Sequence, residues 1–193
     1  FHPLDEWIAE IEPDLVSVPA ALDAEVASGM FMALMNGHPQ HPDMGRWAQR
    51  AWDLAIGGTD PVLRIKTGPH LLLYYTWWIG DLPKAELLLN ALRPYAEDTS
   101  APPLVQITLC AMAGAYYWMN AENPACIATV ERGLGLADTT GVHVWDMLLC
   151  THGTFATLTS GQIEPAQVYV RRMAAMQDPA RAMDSALYYY LSG

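Results

Sequence analysis

The chain has 193 residues, 52% of them hydrophobic, and a formal net charge of −11 from 10 Lys and Arg against 21 Asp and Glu. That length and apolar content suffice for one substantial core without covalent staples. The acidic balance opposes a phosphate backbone and an anionic membrane surface alike, since both demand a basic face.

Taken in chain order, Leu4 to Ile11 has the pattern of a second helix whose partner is missing, and residues 1–22 are assigned to a truncated leading unit. Because the chain opens on Phe1 and its last residues, Ser185 to Gly193, resemble half a helix, the expectation is a piece of a longer protein. Residues 23–60 form a degenerate pair, with helices predicted over 24–36 and 44–56 and Gly37-His38-Pro39-Gln40-His41-Pro42 as an expanded turn. Phe31 and Met35 sit on its first helix, and Trp47, Ala51, Trp52 and Ala55 on its second.

Three fuller units follow, 61–101, 102–142 and 143–183, with helices expected over 62–79 and 83–97, 104–119 and 123–138, and 145–160 and 164–176. Residues 184–193 open a further first helix. First segments are apolar nearly all round, as in His70 to Ile79, which suits a helix contacted on both sides. Second segments are one-faced: Ala85, Leu88, Leu89 and Leu92 fall at i, i+3, i+4 and i+7, and Ala166, Tyr169, Val170 and Met173 repeat that spacing. The unit around Cys126, Val130 and Leu134 fits less well. Pro83, Pro124 and Pro165 mark second-helix starts, where a missing N–H costs nothing, and Pro94, Pro102, Pro103 and Pro179 mark far ends.

A period of about 40 residues underlies this order. Gly80-Asp81, Asn120-Ala121 and Gly161-Gln162 lie 40 and 41 residues apart, and Gly114, Gly153 and Gly193 lie 39 and 40 apart. No strand alternation occurs. The expected fold is all-α, a right-handed superhelix (α-solenoid) of antiparallel helix pairs with a concave inner wall, because a lone pair cannot bury its apolar faces. The longest apolar stretches, Leu71 to Ile79 and Ile107 to Met119, fall short of the roughly 18 to 20 residues that span a bilayer, and no signal segment is seen. Cys110, Cys126 and Cys150, odd in number and without a C-x-x-C pair, point to a reducing, cytoplasmic setting.

Gly80-Asp81-Leu82-Pro83-Lys84-Ala85 resembles the G-D-x-x-x-A turn of a tetratricopeptide repeat, and Gly114-Ala115-Tyr116-Tyr117 its G-x-x-Y core. Longer units of this kind are similar to the sensor region of MalT-like, ATPase-linked bacterial transcriptional regulators. Pro3-Leu4-Asp5-Glu6-Trp7-Ile8, His41-Pro42 with Trp47, Gly141-Val142-His143-Val144-Trp145-Asp146 and Tyr188-Tyr189-Tyr190-Leu191 carry that likeness. It implies a switch module and an output domain elsewhere in the longer chain. Asn120-Ala121-Glu122 departs from the pattern, having no turn glycine.

No phosphate loop, G-x-S-x-G or H-E-x-x-H motif is present, Glu97-Asp98 and Asp5-Glu6 sit on solvated segments, and Gly133-Leu134-Gly135 lies late in a helix. Cys150 and His152, two apart on a helix, point away from each other. His38, His41 and Asp43 lie in a solvated turn, so neither metal nor cofactor is expected. Counting from the matched glycines, His70, Tyr74, Trp77 and Trp78, then Ala115, Trp118 and Met119, then Thr154 and Thr157, face inward. Trp and Tyr rings with polar tips suit an apolar or sugar-like ligand or a partner helix; the same rings also suit packing between helices. Gly80, Gly114, Gly153 and Gly161 are expected to be structural.

The expected function is a non-catalytic region that binds a ligand, a partner protein or a neighbouring domain of the same chain, with no direct nucleic-acid or membrane contact and with homodimerisation compatible. A plain protein-interaction scaffold without a small-molecule role is the alternative.

Overall fold

The computed structural model describes residues 6–10, 20–58, 60–98, 101–178 and 181–192. The described residues hold helices and turns with no strand. After a helical stretch at 6–10 come α1 (Ala20–Gly37), α2 (Met44–Trp52), α3 (Pro61–Leu73), α4 (Leu82–Glu97), α5 (Pro103–Met119), α6 (Asn123–Thr140), α7 (Asp146–Thr159), α8 (Ile163–Ala175) and α9 (Ala182–Ser192). Two helices end in a wider π-type turn, α2 at Asp53–Gly57 and α3 at Tyr74–Ile79. No helix among the described residues is long and apolar enough to cross a membrane.

Starts follow side-chain chemistry. Asp60 accepts from the Val62 and Leu63 amides with Pro61 opening α3, and Asp81 accepts from the Lys84 amide at the head of α4. Pro94, expected to mark an end, lies inside α4, which runs on to Glu97. Its ring costs one ladder bond, and the packing of Leu88, Leu89 and Leu92 outweighs that loss. Pro179 and much of the leading unit, 1–5 and 11–19, fall outside the described residues.

Helices α1 and α2, α3 and α4, α5 and α6, and α7 and α8 pack as consecutive neighbours across short turns, while α1, α3, α5, α7 and α9 also touch one another in series. First helices therefore have neighbours on several sides, and every residue of α5 from Gln106 to Tyr116 is buried. A buried Ser28–Thr67 hydroxyl bond of 2.8 Å links α1 to α3. Arg64 donates to the carbonyls of Ala55 and Gly58, both at 2.7 Å, satisfying the frayed end of α2.

Of the four intra-pair turns, those after α5 and α7 share one hydrogen-bonding pattern. Glu122 donates to the Tyr117 carbonyl and Gln162 to the Thr157 carbonyl, each at 2.8 Å, around left-handed residues Ala121 (φ 59) and Gly161 (φ 73). At Gly80 (φ 72) the Asp81 amide reaches one residue further back, to Tyr75 at 2.8 Å, because of the π turn. The residue equivalent to Gly80 and Gly161 is thus Ala121 rather than Asn120, one place later than the sequence alignment puts it.

Glycines set the closest approaches. A Cβ on Gly153 would lie 2.8 Å from the Tyr169 ring, and one on Gly133 would lie 3.0 Å from Cys110 Cβ and from Leu149 Cδ1. At Gly114 the nearest atom, His152 Cδ2, is 3.4 Å away, an ordinary contact. The Cys126 thiol faces the carbonyls of Gly114 at 3.4 Å and His152 at 3.7 Å, tying α6 to α5 and α7.

Two stability outcomes follow. Ala121 is exposed and carries a Cβ in the left-handed region, which costs about 1 kcal/mol, so Ala121→Gly raises unfolding free energy by up to about 1 kcal/mol in urea titrations. A decrease would show that the turn does not strain the alanine. Gly153→Ala lowers stability by about 1 to 3 kcal/mol, whereas Gly114→Ala costs less; equal melting temperatures for the two variants would contradict the packing described.

Candidate functional site

Four rings from four first helices form a continuous ladder. Trp77 at the end of α3 lies 5.8 Å, centroid to centroid, from Trp118 on α5. Trp118 stacks on Phe155 of α7 at 4.5 Å and 13°. Phe155 lies 6.2 Å from Tyr190 on α9. The ladder is not sealed: Trp77 is 40% exposed, Tyr190 74%, and Trp118 and Phe155 are half-buried. Trp78, Ile79, Met119 and Leu158, all exposed, lie at the C-terminal ends of the same helices.

Beneath the ladder sits His152. Its imidazole is stacked on Trp118 and lies 6.1 Å from both Trp118 and Trp77. The side chain is fully buried, and neither ring nitrogen has a hydrogen-bond partner among the described residues. Burial alone drives its pKa down to about 3. A neutral, enclosed imidazole supports the rings from below and is out of reach of any substrate.

The remaining expected residues divide by reach. His70 is partly buried, its Nδ1 3.2 Å from the Lys66 carbonyl and its ring 6.5 Å from Trp145, and burial lowers its pKa. It borders a separate cavity of about 360 Å³ with Met32, Ile65 and Leu104, at the opposite end of the first helices. Tyr74 is buried edge-on against Phe31 at 5.7 Å. Thr154 and Thr157 are buried, with hydroxyls donating to the carbonyls of Cys150 and Gly153 at 2.7 Å. These last three side chains belong to the interior.

Phe155 and Tyr190 were not among the expected site residues. The 39-residue spacing of Gly114 and Gly153 places the counterpart of Trp118 at Thr157, whereas the turn residues Ala121 and Gly161, 40 apart, place it at Leu158. One residue is about 100° on a helix, enough to turn a buried threonine into an exposed leucine. The ring that meets Trp118 comes from one turn earlier still, a shift that no fixed period could have located.

Two polar clusters lie outside the ladder. Asp138, His143 and Asp146 bring one ligand atom each within 4.8 Å of the others. Arg172 already supplies the cation, donating to both Asp138 oxygens at 2.9 and 2.7 Å and to Asp146 Oδ2 at 2.7 Å. That hydrogen-bonded guanidinium holds the Asp138 carboxyl below its usual range. The cluster therefore clasps α6, α7 and α8 together. In the first turn, the His41 Nδ1 accepts the Asp43 amide at 3.1 Å. Cys126 and Cys150 are buried thiols pushed up to about 12, and Cys110 is raised in the same way, so none is poised as a nucleophile. What the ladder offers is flat apolar surface with indole and phenol tips.

Comparisons with protein families, with curated proteins and with solved structures find no match to this chain.

The buried imidazole makes a pH prediction. Unfolded, His152 takes up a proton near pH 6.5; folded, it does so only near pH 3. Stability is complete above pH 6.5 and falls as pH drops towards 3, because the unfolded chain binds the extra proton. His152→Leu should remove up to one proton's worth of this slope, about 1.4 kcal/mol per pH unit, in urea titrations across that range. Parallel pH profiles for the variant and the parent would disprove the burial assigned to His152.

Proposed function

We propose that this chain is a non-catalytic binding region of a tetratricopeptide-like superhelix, built from units of about 40 residues, in which the first helices line the inner wall. The units are those read from the sequence, 23–60, 61–101, 102–142 and 143–183, with partial units at either end. Serial contact of α1, α3, α5, α7 and α9, together with equivalent turns at Gly80, Ala121 and Gly161, supports this arrangement.

One observation carries the functional reading: aromatic rings from successive first helices meet in an open row, Trp77, Trp118, Phe155 and Tyr190, instead of being sealed in the core. Rings kept partly in water cost apolar exposure that a purely structural role would remove. The occupant is an apolar or sugar-like ligand, or a helix of a neighbouring domain. On the resemblance to MalT-like regulators, the region senses that occupant for an ATPase-linked transcriptional or signalling protein in the cytoplasm. An interaction scaffold with no small-molecule role is the second reading, favoured by the exposed Trp78, Ile79, Met119 and Leu158.

The test is made in the full-length gene product. An ATPase module encoded upstream supports the regulator; its absence supports the scaffold. Trp77→Ala and Trp118→Ala should each change the output of a transcriptional reporter at unchanged protein abundance, and cost less than the roughly 3 to 5 kcal/mol of a core ring in the isolated region. Unaltered output with either variant would defeat the sensing role, and a full core-sized loss would defeat the open wall.

A further inference from the structure

A second feature lies away from the ladder, in the crease between the second helices α4 and α6. Helix α5 floors this crease, and the cavity within it has a volume of about 210 Å³. Leu89 and Leu92 from α4 and Leu109 and Ala113 from α5 provide its apolar floor and walls. Arg93, Tyr117, Thr129 and Arg132 supply its polar side chains, each bearing a hydrogen-bond donor, and no carboxylate lines it.

The charge pattern here runs against that of the chain. Net charge is −11, and Arg50, Lys66, Arg172 and Arg181 are all paired with carboxylates. Neither Arg93 nor Arg132 has a carboxylate partner among the described residues. Arg93 donates only to the neutral Asn90 amide oxygen, at 3.1 Å. Arg132 lies against the buried Cys110 thiol, close enough to pull back part of the rise that burial imposes on it. Thr108, Thr151, Thr154 and Thr157 bond back to their own helices, whereas Thr129 makes no such bond among the described residues. Two guanidinium-bearing and two hydroxyl-bearing side chains thus line one cavity over an apolar floor, with no carboxylate among its lining residues.

We propose that this crease is a binding site for a small amphiphilic carboxylate. Its head group accepts from Arg93 and Arg132, with Tyr117 or Thr129 as a further donor, and its short hydrocarbon tail lies on Leu89, Leu92, Leu109 and Ala113. A guanidinium presents a planar fork matched to a carboxylate, and charge-assisted bonds of this kind are the strong ones. The volume is below the roughly 300 Å³ at which drug-sized pockets begin, which limits the tail to a few carbons within the cavity. The site shares no residue with the ladder, so it stands or falls independently of the sensing role proposed above.

Octanoate is the probe, titrated calorimetrically into the whole chain. Saturable binding is expected, weakened by at least about tenfold on replacing the head group, as in octanol or octylammonium, or on removing the tail, as in acetate. Arg93→Gln and Arg132→Gln should each weaken octanoate by about tenfold, Arg→Lys variants by less, and Trp77→Ala not at all. Both arginines are exposed, so melting temperatures should stay at the parent value. Added salt should weaken binding. Equal affinity for octanol, undiminished affinity in the Arg93→Gln/Arg132→Gln double variant, or no saturation below about 10 mM would overturn the assignment.

Discussion

The middle of this molecule depends on how closely α5, α6 and α7 can approach. Gly133 backs onto Cys110 and Leu149, Gly153 lies beneath the Tyr169 ring, and the Cys126 thiol faces carbonyls of the helices on both sides. Small residues let the backbones come close, and dispersion contacts accumulate over the whole length of α5. The consequence reaches the surface. Trp118 and Phe155 stack at 4.5 Å only because the helices that carry them are held at that separation, and His152 fills the space beneath them.

Electrostatics does related work at the edges of the stack. Arg172 from α8 gathers Asp138 at the end of α6 and the buried Asp146 at the start of α7. Removing the arginine would leave a buried carboxylate without its counterion, the costly half of a buried ion pair. In α1 and its neighbours the same role falls to surface pairs, Arg50 with Asp23 and Lys66 with Glu25, which contribute less because water competes for them. Of the ten cations, Arg46, Arg50, Lys66, Arg172 and Arg181 are engaged in this way, and the two arginines over the crease between α4 and α6 belong to the other half.

Legibility in the sequence tracked the locality of the cause. Helix starts at Pro83 and Pro124, and the turns at Gly80 and Gly161, were readable because one residue's backbone preference decides each, whereas Pro103, read as a far end, opens α5. Trp77 and Trp118 stood out because they occupy the same place before their turns, Gly80 and Ala121. Ala121 was misjudged by one place, since the left-handed conformation there is imposed by the helices on either side and leaves no glycine to mark it. Tyr74, Thr154 and Thr157 looked inward-facing by count, but a slip of one residue separates a groove from a core, and the π turn in α3 adds a further rotation. Phe155, Tyr190 and the crease above α5 arise from side chains on helices distant in sequence, and no local pattern announces them.

The three cysteines have a consequence of a different kind. Cys110, Cys126 and Cys150 lie one each on α5, α6 and α7, all buried and all with thiols raised by burial. An alkylating reagent at neutral pH meets almost no thiolate while these helices stay packed, and modification must wait for each helix to separate from its neighbours. The order and speed with which the three become labelled therefore report the opening of successive helices, so the native chain carries its own clock for local unfolding without any engineered probe.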